Sequence, residues 1–440
     1  MLIRNTRANQ NSDPAQKTPP KGVTKAGLLQ LLGPGLVTGA SDDDPSGIAT
    51  YSQVGAQFGY GLLWTMLFSY PLMAAIQEIS AQIGRVTGRG IAGNLRRHYA
   101  PGWLYSMVGL VVIANVINLG ADIGAMGDVV RLLIGGPALL YALLFAVFSV
   151  MLEIFLPYDK YAGVLKWMTL ALFAYVATVF VVHVSWAHAL KASILPHWSW
   201  KAGYVTSVVA VLGTTISPYL FFWQAESEVE LERANPVEWP LKRDPAHAAF
   251  QLHRIRVDTY TGMAFSNLIA YFIMLTAAAT LWATGHTHIA TSTQAAAALG
   301  PVAGPWARLL FALGIVGTGL LALPVLAGSA AYAVGEAVRW PVGLNQDIVH
   351  ARGFYGVLAG ATLLGLGLNF VHIDPIRALF WSAVINGVVA GPIMILMMHM
   401  GSNPKIMAGF TLNPRQKWFG WAATAAMLAA AAGLVATWGK

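Results

Sequence analysis

About eleven apolar runs, each long enough to cross the ~30 Å hydrocarbon core of a bilayer, recur along this 440-residue chain. They lie roughly at 27–58, 61–84, 103–130, 137–156, 161–184, 203–225, 257–284, 306–335, 353–371, 376–400 and 417–438. In lipid every backbone N–H and C=O must be satisfied internally, and runs of this length do so as helices. The expected fold class is therefore an all-α polytopic membrane protein. Composition agrees: 56% of the residues are hydrophobic and 10% charged, against about a quarter charged in soluble domains. With no cysteine, disulfides, thiolate metal sites and thiol catalysis are excluded. Residues 1–26 are polar, lack the apolar core of a signal peptide, and read as a disordered cytoplasmic tail.

Lysine and arginine set the orientation. With the N-terminus inside, about 20 basic residues fall in inner segments and 6 in outer ones, the asymmetry expected of a multi-pass protein of a plasma or inner membrane. The formal charge of +8 is thus a topology signal, and no nucleic-acid partner is expected. Eleven spans put the C-terminus outside. The first ten divide into five plus five of opposite orientation, 27–184 and 203–400, with 417–438 as an additional helix.

If the halves are repeats, spans 1 and 6 correspond, and both are interrupted. The first contains SDDDPSG, with Asp44-Pro45-Ser46-Gly47 at the break, and the second contains TISPY, with a break at Ile216-Ser217-Pro218-Tyr219. Pro45 and Pro218 each remove a backbone donor and disfavour helix at the preceding residue. A carboxylate near the bilayer centre costs at least about 2.5 kcal/mol, so three in a row demand a reason. Matched breaks mark a midplane binding site. Exposed carbonyls plus the Asp44 carboxylate make an oxygen-rich cation site.

These stretches resemble the NRAMP divalent-metal transporters. GPGLVTGASDDDPSG is similar to the family's first helix, where Gly-Pro-Gly precedes an Asp-Pro-Gly-Asn break by the same interval. IGRVTGRGIAGNLRRHY, residues 83–99, is similar to the segment after the family's second helix, and TISPY falls where the family has Met-Pro-His-Asn. The resemblance implies a LeuT-type inverted-repeat fold and a metal site of Asp44, Gly47, Thr214 (through its carbonyl) and Ser217. Gly47 stands in place of the family's asparagine, Ser217 of its methionine, Tyr219 of its histidine and Leu220 of its second asparagine. Asp122 aligns with an acidic residue implicated in proton movement, and Asn386 with an amide of the tenth helix. Asp43, Tyr219 and Asn386 are expected to line the vestibule.

The departures bear on the ion. A thioether favours soft transition metals, and replacing it with a hydroxyl leaves oxygen ligands alone. Mg²⁺ takes oxygen ligands and sheds water reluctantly. The expectation is a secondary transporter moving divalent cations by alternating access, Mg²⁺ ahead of Mn²⁺, resembling the magnesium branch related to NRAMP and not proton-coupled. The alternative is a proton-coupled Mn²⁺/Fe²⁺ symporter, with Asp122 as its proton or gating carboxylate. A divalent cation gains roughly 4.6 kcal/mol from a 100 mV inside-negative potential, so accumulation needs no proton.

Asp42, Asp43 and Asp44 cannot all face one site, because neighbours on a helix point about 100° apart. Asn115, Asn118, Thr259 and Asn267 read as interhelical glue. Glu226, Glu228, Glu230 and Glu232 read as a solvated extension, His286 and His288 as surface residues, and Glu153 as a snorkelling or loop-paired group. No HExxH or GxSxG occurs, so no enzyme is expected, and no cofactor. Three aspartates at the break would repel an amino-acid carboxylate, and a channel does not need two broken helices. The expected partners are a divalent cation and the lipid bilayer.

Overall fold

The computed structural model describes residues 33–155, 169–235, 238–344, 346–371 and 374–437. The expected tail at 1–26, the start of the first span and the start of the fifth lie outside the described residues. Single-turn helices aside, the described elements are α1 (Pro34–Asp42), α2 (Pro45–Phe58), α3 (Trp64–Thr87), α4 (Ile91–His98), α5 (Pro101–Ile134), α6 (Ala138–Phe155), α7 (Phe173–Val181) and α8 (Trp186–Ile194). They continue with α9 (Ala202–Thr215), α10 (Pro218–Ala234), α11 (Ala248–Thr280), α12 (Ser292–Ala297), α13 (Ala307–Val338), α14 (Arg352–Leu368), α15 (Pro375–Ser402) and α16 (Pro414–Thr437). No strand occurs among the described residues.

Among the described residues eight helices are each long and apolar enough to cross a membrane, and the bent pair Pro45–Leu62 and Trp64–Thr87, turning by 107°, brings the number to nine. The shortfall from eleven has local causes. The first span is two half-helices of 9 and 14 residues. The second carries Gln77, Glu78, Gln82 and Arg85, and the fifth begins outside the described residues. Leu140, Leu143, Leu144, Phe148 and Met151 on α6 are exposed. A continuous apolar face of this kind belongs against hydrocarbon, and the protein is a multi-pass membrane protein.

Packing follows an exchange between halves. The broken first span (α1, α2) lies along α11, and by the matching relation α10 of the broken sixth span lies along α3. Each contact includes a point where glycine brings backbone against backbone. A Cβ at Gly39 would sit 2.3 Å from the Gly262 carbonyl oxygen, and one at Gly84 would sit 2.2 Å from that of Ala225. Only glycine permits so close an approach, a device frequent between membrane helices. The long α5 closes the structure by packing on α13 and α15, and α9 packs on α15. The two breaks are thereby enclosed by α5, α11 and α15.

Candidate functional site: two facing helix breaks

The unwound residues are Asp43 and Asp44 in the first break and Ile216 and Ser217 in the second. The sequence placed Pro45 and Pro218 inside the interruptions. Instead each is the first residue of the resumed half-helix, where a missing N–H costs nothing. Ser46, Gly47 and Tyr219 therefore belong to first helical turns. The proline leaves a mark one turn back, because a continuous helix would send its N–H to the carbonyl four residues earlier. Those carbonyls are Ser41 and Thr214. The Tyr219 hydroxyl lies 3.3 Å from the Ser41 oxygen, and the Ser217 hydroxyl lies 3.0 Å from the Thr214 oxygen and 2.8 Å from that of Gly213.

Asp44 caps α2. Its Oδ1 accepts the Gly47 amide at 2.8 Å and the Ser46 hydroxyl at 2.6 Å, a favourable place for negative charge at a helix N-terminus. Its Oδ2 accepts Asn118 Nδ2 at 3.0 Å and the Tyr219 hydroxyl at 3.4 Å. Asn118 is the hub. Its amide nitrogen also donates to Asp122 Oδ2 at 3.0 Å, and its oxygen accepts Asn386 Nδ2 at 3.2 Å. Asp44 and Asp122 are thus bridged by one amide, and Asn386 reaches the cluster through Asn118.

Asp42 and Asp43 turn towards α11. The Ser266 hydroxyl lies 2.6 Å from Asp42 Oδ2 and 3.3 Å from Asp43 Oδ1. Among the described residues no three carboxylate, imidazole or thiolate groups converge as a metal cage. Gly47 brings the breaks together, since a Cβ there would meet Thr214 Oγ1 at 3.1 Å and Tyr51 Cε2 at 3.3 Å. Asp42, Asp43, Asp44, Asp122, Ser217 and Tyr219 are all 3% exposed or less, so the cluster is shut off from solvent. Asp42 Oδ1 and Asn386 Oδ1 are buried acceptors with no hydrogen-bond partner, an arrangement that costs free energy unless a cation or water serves them.

The structure brings Asp44, Gly47, Thr214, Ser217, Tyr219, Asp122 and Asn386 to one place. Asn118, Ser266 and the Ser41 carbonyl were not singled out as site groups from the sequence. Asn118 had a signal, lying four residues before Asp122 and so on the same helix face. So did Ser41, four residues before Pro45.

Below the cluster, the glutamate row is not a solvated extension. Glu226, Glu228 and Glu232 are buried. Glu228 pairs with Arg254, and Glu230 takes the Tyr332 hydroxyl and, at 2.8 Å, the Leu344 amide. Asp258 of α11 accepts the amides of Gly33, Gly35 and Leu36 at 2.8, 2.7 and 3.0 Å, holding the start of α1. Asn115 bonds the Leu326 carbonyl and Ser329, and Asn267 bonds Ser69, the interhelical role expected. Thr259 is buried with its hydroxyl unbonded. Glu153 is buried and bonded to Ser149 rather than snorkelling. His286 and His288 are exposed.

The family model described as natural resistance-associated macrophage protein-like (Nramp) matches residues 35–437. A divalent metal cation transporter MntH of Klebsiella pneumoniae is 26% identical over 412 residues, covering 90% of this chain and 91% of that protein. A manganese transporter of Eremococcus coleocola, solved with an aromatic bis-isothiourea compound, superposes with a TM-score of 0.76 at 16% identity, covering 95% of this chain and 88% of the other. The nucleobase-cation-symport transporter Mhp1, in a closed conformation, superposes with a TM-score of 0.55 at 15% identity, covering 92% of each chain.

Proposed function

Because this chain belongs to the Nramp family, we propose that it carries a divalent metal cation across the membrane by alternating access, with Mg²⁺ preferred over Mn²⁺ and no obligatory proton movement. The observation that carries the reading is the pairing of Asp44 with two proline-orphaned carbonyls, Ser41 and Thr214, on facing helix breaks. Among the described residues each of those carbonyls takes a side-chain hydroxyl that has another acceptor to turn to, Asp44 Oδ2 for Tyr219 and the Gly213 carbonyl for Ser217. Ser217 then offers its own oxygen, and the set is carboxylate, carbonyl and hydroxyl. Such hard ligands suit an ion that keeps part of its water. Asp42 and Asp43, held by Ser266, are placed to accept hydrogen bonds from that water.

In the closed arrangement Asp44 has four donors on its two oxygens. Ion entry must displace the donors on Oδ2, Asn118 and Tyr219, because the other two belong to the cap of α2. Asn118 can then turn its oxygen towards the metal or its water. Tyr219 does not titrate near neutral pH, which supports transport driven by membrane potential alone. The bridge from Asp44 to Asp122 is the feature that favours the second reading, a proton-coupled Mn²⁺ or Fe²⁺ symporter.

Uptake into proteoliposomes at fixed potential, with internal pH recorded, separates the two. Mg²⁺ entry that vanishes in Asp44→Ala and brings no acidification supports the proposal. Mn²⁺ entry with protons and no Mg²⁺ entry refutes it.

A further inference from the structure

Away from the breaks, a cleft of about 560 Å³ opens where the start of α4, the end of α10 and the end of α13 meet. Five arginines line it, Arg89, Arg96, Arg97, Arg233 and Arg339, with one carboxylate, Glu336. Glu336 is already committed, its two oxygens accepting the Gly90 and Gly93 amides at 2.9 and 2.7 Å. None of the five guanidiniums makes an ion pair among the described residues. Arg96 bonds only the Glu336 backbone carbonyl, at 3.2 Å.

Glu336, Glu226 and Glu232 offset part of this charge at Arg89 and Arg233, and the excess of like charge that remains is costly. Burial together with Arg97 and Arg243 pulls the Arg89 guanidinium below its ordinary value against the pull of Glu336, and burial with Arg89, Arg97 and Arg243 does the same to Lys242 against that of Glu232. A second cost is conformational. Arg339 ends α13 at φ 66°, ψ 33°, the left-handed position that glycine usually fills after a helix. An arginine held there, at the cleft, is a side chain retained against backbone preference.

We infer that this cleft binds a phosphate-bearing anion, either a soluble polyphosphate or the headgroup of an anionic phospholipid. Guanidinium forks match phosphate oxygens two at a time, and several around one cavity select for multiple negative oxygens. The volume suits a small ligand, and the indole of Trp340 on the cleft wall offers a flat face to a base or a glycerol backbone.

The test uses the full chain purified in neutral detergent and stripped of metal with chelator. Inorganic tripolyphosphate is titrated by calorimetry. In parallel, native mass spectrometry follows retention of phosphatidylglycerol against phosphatidylcholine. The variants are Arg97→Gln and Arg339→Gly, the second chosen because glycine favours the left-handed conformation and keeps the helix end intact. One-to-one tripolyphosphate binding that weakens at least tenfold in both variants and falls with added salt supports the inference and assigns a soluble ligand. Selective retention of phosphatidylglycerol that is lost in both variants, without tripolyphosphate binding, supports it and assigns a lipid. Binding of neither probe, or binding unchanged in both variants, overturns it.

Discussion

The Asp258 clamp on α1 lends itself to a quantitative test. Its carboxylate accepts three amides at the start of that half-helix, and hydrogen bonds to a charged group contribute about 1.5–3 kcal/mol each. In Asp258→Asn the remaining oxygen still serves Gly33 and Leu36, which both use Oδ1. The new carboxamide NH2 faces the Gly35 amide, donor against donor, so one bond is lost and the others lose their charge assistance. A loss of about 3 kcal/mol from the closed arrangement is expected, which raises the population with α1 released roughly a hundredfold. Because the chain has no cysteine, Ser41→Cys supplies a lone thiol. Ser41 is fully buried and its hydroxyl bonds only the Val37 carbonyl one turn back, so the exchange is nearly isosteric. The labelling rate of that thiol by a small water-soluble reagent reads the open population. A rate within twofold of the Ser41→Cys parent, from protein that remains monodisperse, would refute the claim that Asp258 latches α1.

Further outcomes follow from the same contacts. Ser217→Met, which adds a thioether at the second break, should raise the Mn²⁺-to-Mg²⁺ uptake ratio by about tenfold, or ~1.4 kcal/mol; an unchanged ratio in competition uptake would count against the site assignment. Gly39→Val forces a side chain into a space ending 2.3 Å away at the Gly262 carbonyl, and should destabilise by about 3 kcal/mol or more, read as loss of monodisperse protein on heating. Glu228→Gln leaves Arg254 only Gln251 and the more distant Asp258 carboxylate at 4.0 Å and should cost about 3 kcal/mol, whereas Glu228→Gln with Arg254→Gln should cost less, a difference visible in thermal midpoints. Asn118→Ala removes the amide between Asp44 and Asp122 and should lower Mg²⁺ uptake at least tenfold at equal protein amount.

The parts of the fold that were legible in sequence rest on local prohibitions. Proline alone does not break a helix, since Pro71, Pro324 and Pro392 lie inside continuous ones; Pro45 beside the costly Asp44 charge, and Pro218 at the matching place of the other half, announced the breaks without any partner being known. The position of each break within a residue or two was less legible, because a proline that interrupts a helix also makes a good first residue for the next one. What could not be read were interactions completed from far away in the chain. Glu226 to Glu232 look solvated by hydropathy, yet Arg254, Tyr332 and the Leu344 amide receive two of them. Asn118 looked like an ordinary interhelical amide because its partners Asp44 and Asn386 lie 74 and 268 residues away. The expected eleven spans counted apolar length over the whole run, so the first, already marked as broken, still counted as one span although its pieces are 9 and 14 residues long.

The glycine contacts between Gly39 and Gly262 and between Gly84 and Ala225 bear on how this molecule moves. Most helices mesh like cogs, and shifting one past another requires side chains to change rotamer and repack. Two backbones in direct contact have no teeth at that point, so one can glide or rock on the other without gears to strip. Each broken span has one such smooth point, before the break in the first and after it in the second. Resistance to such a slide would come from the side-chain bonds along the same interface, those of Asp258 and Ser266 to the first span.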